Sequence, residues 1–186
     1  MAGVQKRFWL MCALFAFSAS SYAQTSASHT VAIRIQPITV MAVSGDPIPM
    51  SILAQEGYDG GVQTAQTFYD LTTNVDHVYI EATLDAPMPE GAELHVRATS
   101  TIGQSRGSVL LDGRSRAKRL VNNMKRGLEN GQTLEYTFSA DASLGPIPMQ
   151  SRQVTIALVN PDTGYRQELR QTVSFGVETL GPMGQD

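Results

Sequence analysis

The sequence predicts an all-β protein, an immunoglobulin-like antiparallel β-sandwich of about eight or nine strands. Three observations carry this. Apolar and polar residues alternate with period two in run after run, the signature of strands with one dry face and one wet face. The runs are short and separated by turn clusters such as PEGAE (89–93), ENGQ (129–132) and NPDTGY (160–165). The one cysteine, Cys12, lies in an N-terminal segment expected to be removed, so the rest must be held by core burial alone.

That segment is MAGVQKRFWLMCALFAFSASSYAQ. Lys6 and Arg7 form a short positive region, and residues 8–19 are a mostly apolar dozen, too short for a bilayer span of about 20 residues. Ser21 and Ala23 supply the small residues that a signal peptidase reads. Residues 1–23 are therefore expected to be a secretory signal peptide and residues 24–186 a single β-sandwich domain, located in the periplasm, at the cell surface or outside the cell. The loss of Lys6 and Arg7 moves the formal net charge from −3 to −5. The mature chain holds no second long apolar run, which predicts no membrane span.

Along the mature chain the first β-rich runs are TVAIRI (30–35) and ITVMAV (38–43), separated by Pro37. This terminal stretch, 30–43, can pair within its own sandwich or be donated to the edge of a neighbour. TAQTFYDLTT (64–73) follows. In VYIEATL, Val78, Ile80, Ala82 and Leu84 alternate with polar positions; in ELHVRATS, Leu94, Val96 and Ala98 do; in TLEYTFSA, Leu134, Tyr136, Phe138 and Ala140 do. GSVLLDG (107–113), RQVTIALVN (152–160) and ELRQTVSFGV (168–177) complete the set. The shared core is expected to hold Val78, Ile80, Leu84, Leu94, Val96, Leu134, Phe138, Val154 and Ile156. SRAKRLVNNMKRGLENG (115–131) reads two ways. Leu120, Met124 and Leu128 have the spacing of a short amphipathic helix, but AKRLVNN also reads as an edge strand. The strand is preferred, because Lys and Arg blunt an exposed sheet edge.

Six of the nine prolines stand in Pro-x-Pro pairs: Pro47/Pro49, Pro87/Pro89 and Pro146/Pro148. Each pair closely follows an alternating run. Proline has no N–H for a ladder and fixes φ, so each pair is expected to end pairing while the chain crosses over. The tetrapeptide PIPM, which occurs twice, is thus punctuation.

Catalytic and metal motifs fail on context. GQSRG (103–107) matches a nucleophile elbow, but the next residues read as a strand and no histidine follows. The Asp-Thr-Gly of PDTGY reads as a hairpin turn. His29, His77 and His95 are isolated; His77 and His95 can face each other from adjacent predicted strands, but solvent-facing histidines are the plainer reading. EGYDGG (56–61) lacks the dense carboxylates of a calcium loop. The protein is thus read as non-enzymatic, with no metal and no cofactor. The charge distribution says more. Arg106, Arg114, Arg116, Lys118, Arg119, Lys125 and Arg126 form a candidate interaction patch, relieved only by Asp112, in an otherwise acidic chain. Such polarity suits self-association, other envelope proteins or an anionic surface polymer. The exported compartment, the acidic whole and the lack of interleaved aromatics speak against nucleic acid.

The runs VAIRIQPITVMAVSG, TTNVDHVYIEATLDAPMPEGAELHVRA and LEYTFSADASLGPIPMQSRQVTIALVN together resemble secreted bacterial β-sandwich proteins of the fimbrial and surface-filament kind. The resemblance is one of strand and turn pattern over most of residues 30–160. It implies a structural or interaction role and no catalytic residues. The alternative is a glycan-binding sandwich, for which Tyr58, Tyr69 and Tyr165, read as loop or edge aromatics, are the candidate contacts in a mature chain without tryptophan.

Cleavage after Ala23 is expected to remove Trp9, the sole tryptophan. The exported protein should then lack tryptophan fluorescence, and intact mass spectrometry should begin at Gln24 rather than Met1.

Overall fold

The computed structural model describes residues 32–54, 61–114, 116–141 and 145–179. The expected signal peptide, His29, Tyr58 and most of the EGYDGG loop lie outside the described residues. The chain divides into two units, Met1–Ile35 and Gln36–Asp186. In the first, residues 32–35 are described; they carry no regular secondary structure and are exposed.

The second unit contains eleven strands and, among the described residues, no helix: β1 (Thr39–Val43), β2 (Met50–Ala54), β3 (Gly61–Thr73), β4 (Val78–Leu84), β5 (Ala92–Ala98), β6 (Gln104–Ser105), β7 (Val109–Leu110), β8 (Lys118–Met124), β9 (Gly127–Ala140), β10 (Ile147–Asn160) and β11 (Tyr165–Thr179). They form two sheets, ordered β1-β3-β9-β5-β7 and β2-β11-β10-β4-β8-β6. Every odd strand to β9 is in the first sheet, while the even strands and β11 are in the second. The chain thus changes sheet after each strand until the β10–β11 hairpin. The orders β1-β3-β9-β5 and β11-β10-β4 follow the immunoglobulin plan of A-B-E-D against G-F-C.

The sandwich and the strand at 118–124 agree with the sequence reading. Three details differ. β2 lies parallel to β11, with Met50 opposite Phe175, because a strand that changes sheet without turning back keeps its direction. All three Pro-x-Pro pairs do stand at crossings between sheets, yet Pro148 lies within β10, beside a register irregularity between Ile147 and Gln150. A bulge is one of the few strand sites that tolerates a missing N–H. ENGQ is no turn: β9 runs through it, with a register irregularity between Tyr69 and Leu71 on β3. There the Gly131 N–H donates to the Asp70 carboxylate at 2.7 Å, and Gly131 has φ of +60°, a left-handed backbone that favours glycine.

All nine residues expected in the core are buried. The first sheet contributes Leu94, Val96, Leu134 and Phe138, and the second contributes Val78, Ile80, Leu84, Val154 and Ile156. Phe138 meets Phe175 across the interior, ring centroids 5.0 Å apart and tilted by 33°, a geometry in which an aromatic pair adds to area burial. Truncation of Phe138 to Ala is expected to cost about 3–5 kcal/mol, the range for a buried aromatic, read as a fall in the urea midpoint. A loss under about 1 kcal/mol would contradict its central place in the core.

Candidate functional site: the two ends of strand β8

β8 is flanked by β4 and by the two-residue β6. Lys118 and Arg119 lie opposite Ala82 and Glu81 on β4, and Met124 lies opposite Val78. Seven extended residues separate these ends by about 20 Å. The structure therefore divides the seven basic residues of the candidate patch into two groups rather than one.

The first group is Arg106, Arg114, Arg116, Lys118 and Arg119. The Arg106 N–H donates to the Leu120 carbonyl at 2.8 Å, which brings the end of β6 beside β8. Arg114, Arg116 and Lys118 line a shallow concavity with Thr83 and Asp112. Lys118 Nζ stands 3.1 Å from Asp112 Oδ2, and the Arg114 N–H donates to Asp112 Oδ1 at 3.1 Å. The backbone bond from Arg114, then Lys118, holds the Asp112 carboxyl below its usual range. The Arg119 guanidinium lies 4.1 Å over the Tyr79 ring, a cation–π contact. The side chains of Arg106, Arg114 and Arg116 have no ion-pair partner among the described residues. The loop that carries Arg114 turns at Gly113, where φ is +63° and a Cβ would sit 2.4 Å from the Ala86–Pro87 backbone. Only glycine fits, and the loop is seated against the Pro87 crossing.

The second group, Lys125 and Arg126, lines an open cleft of about 750 Å³ with Asp76, His77, Asn123 and Met124. Arg126 donates twice to Asp76, from its backbone N–H and from Nη2, each at 3.0 Å. His77 Nδ1 is 2.9 Å from Asp162 Oδ2 of the β10–β11 turn. His77 and Asn123 are the described non-glycine residues with left-handed backbones, at φ of 64° and 49°.

Between these ends, the outer face of the second sheet carries an ion network. Arg166 pairs with Glu81 and, at 2.7 Å, with Glu168. Glu81 is 9% exposed even though it points away from the core. The alternation of VYIEATL placed its direction correctly; the covering by Arg166, 85 residues away, left no signal in the sequence.

Other sequence readings find their places. Ser105 of GQSRG donates to the Ala98 carbonyl at 2.6 Å and accepts from the Gly107 N–H at 3.3 Å. His77 and His95 do not face each other: His77 precedes β4 in one sheet, whereas His95 is on β5 in the other, beside Glu93. Tyr165 is 39% exposed, but Tyr69, taken as an edge aromatic, is fully buried. Its hydroxyl is shared between the Thr99 carbonyl and Glu129 Oε2. Burial, then the Glu129 charge, pushes its pKa well above the normal tyrosine value. Among the described residues, no three His, Cys, Asp or Glu side chains are grouped to hold a metal ion.

No family model matches the chain, and no curated protein does. Among solved structures it is similar to the CooA pilin subunit of enterotoxigenic Escherichia coli. That match has 11% identity and a TM-score of 0.44, over 76% of this chain and 99% of that one. It is similar to the CupB6 tip adhesin of Pseudomonas aeruginosa at 11% identity and a TM-score of 0.42, over 72% of this chain and 50% of that one. AggA, the major subunit of aggregative adherence fimbriae type I of Escherichia coli, is similar at 9% identity and a TM-score of 0.32, over 80% and 100%.

Asp76 supplies a pH test. Its pKa is lowered from 3.8, first by the Arg126 backbone N–H and then by the Arg126 side chain. A depressed folded-state value means that the pair's stabilisation is present above the unfolded value and lost as pH falls through the folded one. In Arg126→Ala the backbone bond remains and the side-chain bond goes. The Asp76 pKa, followed by carboxyl NMR, is therefore expected to rise part of the way back towards 3.8.

Proposed function

We propose that this protein is an exported, non-catalytic structural subunit of the surface or fimbrial type, which assembles with copies of itself by strand addition. Export rests on the signal-peptide pattern of residues 1–23. The observation that supports assembly is the exposed apolar approach to β1. Ile33 and Ile35 are 81% and 79% exposed, and Ile38 and Val40 are 53% and 51%. Ile33 and Ile35 stand two residues apart, the spacing that puts side chains on one face of an added strand. Free apolar surface of this kind is costly unless a partner covers it.

The open edges favour one place for such a strand. β1 is closed on its free side at Met41, whose N–H and carbonyl both bond the Gln167 side-chain amide, at 2.9 and 2.8 Å. β2 pairs only with β11, and β11 meets β2 only from Phe175 onward. Among the described residues, β2 and the first half of β11 thus have a ladder partner on one side each. An added strand gains backbone bonds there and covers Leu53, which is 58% exposed.

The experiment removes residues 24–35 and keeps β1, which belongs to the fold. The shortened protein is expected to keep its β-sheet circular dichroism and cooperative melting while losing oligomers in analytical ultracentrifugation. A mature protein that stays monomeric at high concentration would overturn the reading.

A further inference from the structure

We infer that the corner formed by Arg106, Arg114, Arg116, Lys118 and Arg119 is a binding surface for an acidic polysaccharide. Arg114, Arg116 and Lys118 line one concavity at the end of β8 with Asp112 as the carboxylate among them, Arg119 follows Lys118 on the strand, and the Arg106 backbone is bonded to Leu120 beside it. Asp112 is occupied by Lys118 and the Arg114 backbone, and Glu81, opposite Arg119, is occupied by Arg166. Four guanidiniums, those of Arg106, Arg114, Arg116 and Arg119, therefore have no anion among the described residues, in a chain whose overall charge is negative. Like charges gathered in this way repel one another, a cost that an anionic ligand relieves.

The chemistry of the ligand follows from the residue types and their placement. Four of the five cations are arginines, whose planar fork takes carboxylate or sulfate groups through two bonds at once. Arg114, Arg116 and Lys118 line the same concavity, so their charges are presented together on one surface. The concavity holds only about 10 Å³, far below the roughly 300 Å³ of a small-molecule pocket. A ligand must then lie across the surface and present charges at intervals, as a linear acidic polymer does. The surface is also pre-formed. Gly113 seats the loop on the Ala86–Pro87 backbone, and Tyr79 holds Arg119 in place, so little ordering entropy is lost on binding. This binding does not depend on assembly, because the corner lies on the β8 and β6 edge while the open strands β2 and β11 are at the other end of the sheet order.

The mature protein would be titrated with alginate, dextran sulfate, neutral dextran and anionic phospholipid vesicles at rising salt. Binding to alginate, dextran sulfate or both is expected, with none to neutral dextran and with affinity falling as salt screens the charges. Preference between the two polymers tells carboxylate from sulfate recognition. The double variant Arg114→Gln, Arg116→Gln removes two cations that make no ion pair among the described residues, so its melting should be unchanged and its affinity should fall at least about tenfold. Lys125→Gln, at the far end of β8, should stay within about twofold of the parent. Equal losses in both variants would reduce the effect to overall charge and overturn the proposal. So would binding to vesicles alone, binding to none of the probes, or a double variant that loses self-association while keeping its polymer affinity.

Discussion

A chain that changes sheet after almost every strand must satisfy the backbone polar groups of each crossing at the rim of an apolar core, where an unpaired N–H or C=O is costly. Side chains do this repeatedly here. Glu129, 1% exposed on β9, accepts from the Thr101 and Ile102 N–H groups and from the Ser100 and Thr101 hydroxyls, so the stretch after β5 is tied down by one carboxylate. Gln171, equally buried on β11, donates to the Ser44 and Gly45 carbonyls at 3.0 and 2.7 Å where β1 gives way to β2. It also accepts the Tyr136 hydroxyl at 2.7 Å. Asp46 returns the favour by accepting the Thr172 N–H. These side chains add to backbone bonds that serve the same crossings, such as Ser44 N–H to the Phe68 carbonyl and Asp85 N–H to the Gln153 carbonyl.

The same constraint shapes the edges. Residues 99–117 leave β5, add β6 to the rim of the second sheet, add β7 to the rim of the first, and return to β8. One segment thus protects both sheets on that side, with strands too short to offer a neighbour a ladder. It buries Leu111 in the core and packs Ile102 and Val109 against it, yet most of the basic residues of the chain's one basic stretch also lie in or next to it. On the opposite side the first strand is split into β1 and β2, and a glutamine side chain closes the gap at Met41. Edge closure is strong where the arginines are and weak where β2 ends the sheet. That asymmetry separates a surface suited to polyanions from one suited to added strands.

Where a residue's fate is decided by its immediate neighbours, the sequence was readable. The facing of Ile80, Leu94, Phe138 and Ile156 followed from period two because the pleat alternates side chains by local sterics. The Pro-x-Pro pairs marked crossings because proline's missing N–H acts at its own position. Distant contacts were not readable. Tyr69 looked like an edge aromatic until Thr99 and Glu129 enclosed its hydroxyl. Glu129 itself sat in an apparent turn cluster, and its five donors come from residues 27 to 60 positions away. The basic stretch read as one patch because sequence distance hides that an extended strand carries its ends about 20 Å apart.

By itself, the sequence determined that this chain forms strands, which face of the alternating runs is dry, and that the Pro-x-Pro pairs mark crossings, since all three are set within a few residues by steric and solvation preferences. Only the tertiary structure decided which strands pair, that β2 runs parallel to β11, which polar side chains are sacrificed to the crossings, and which cations share a corner. These depend on contacts between residues far apart in the chain. Alternation records only which side a residue faces, and many pairings bury the same set of apolar residues. The backbone bonds and buried polar clamps at the crossings select one of them.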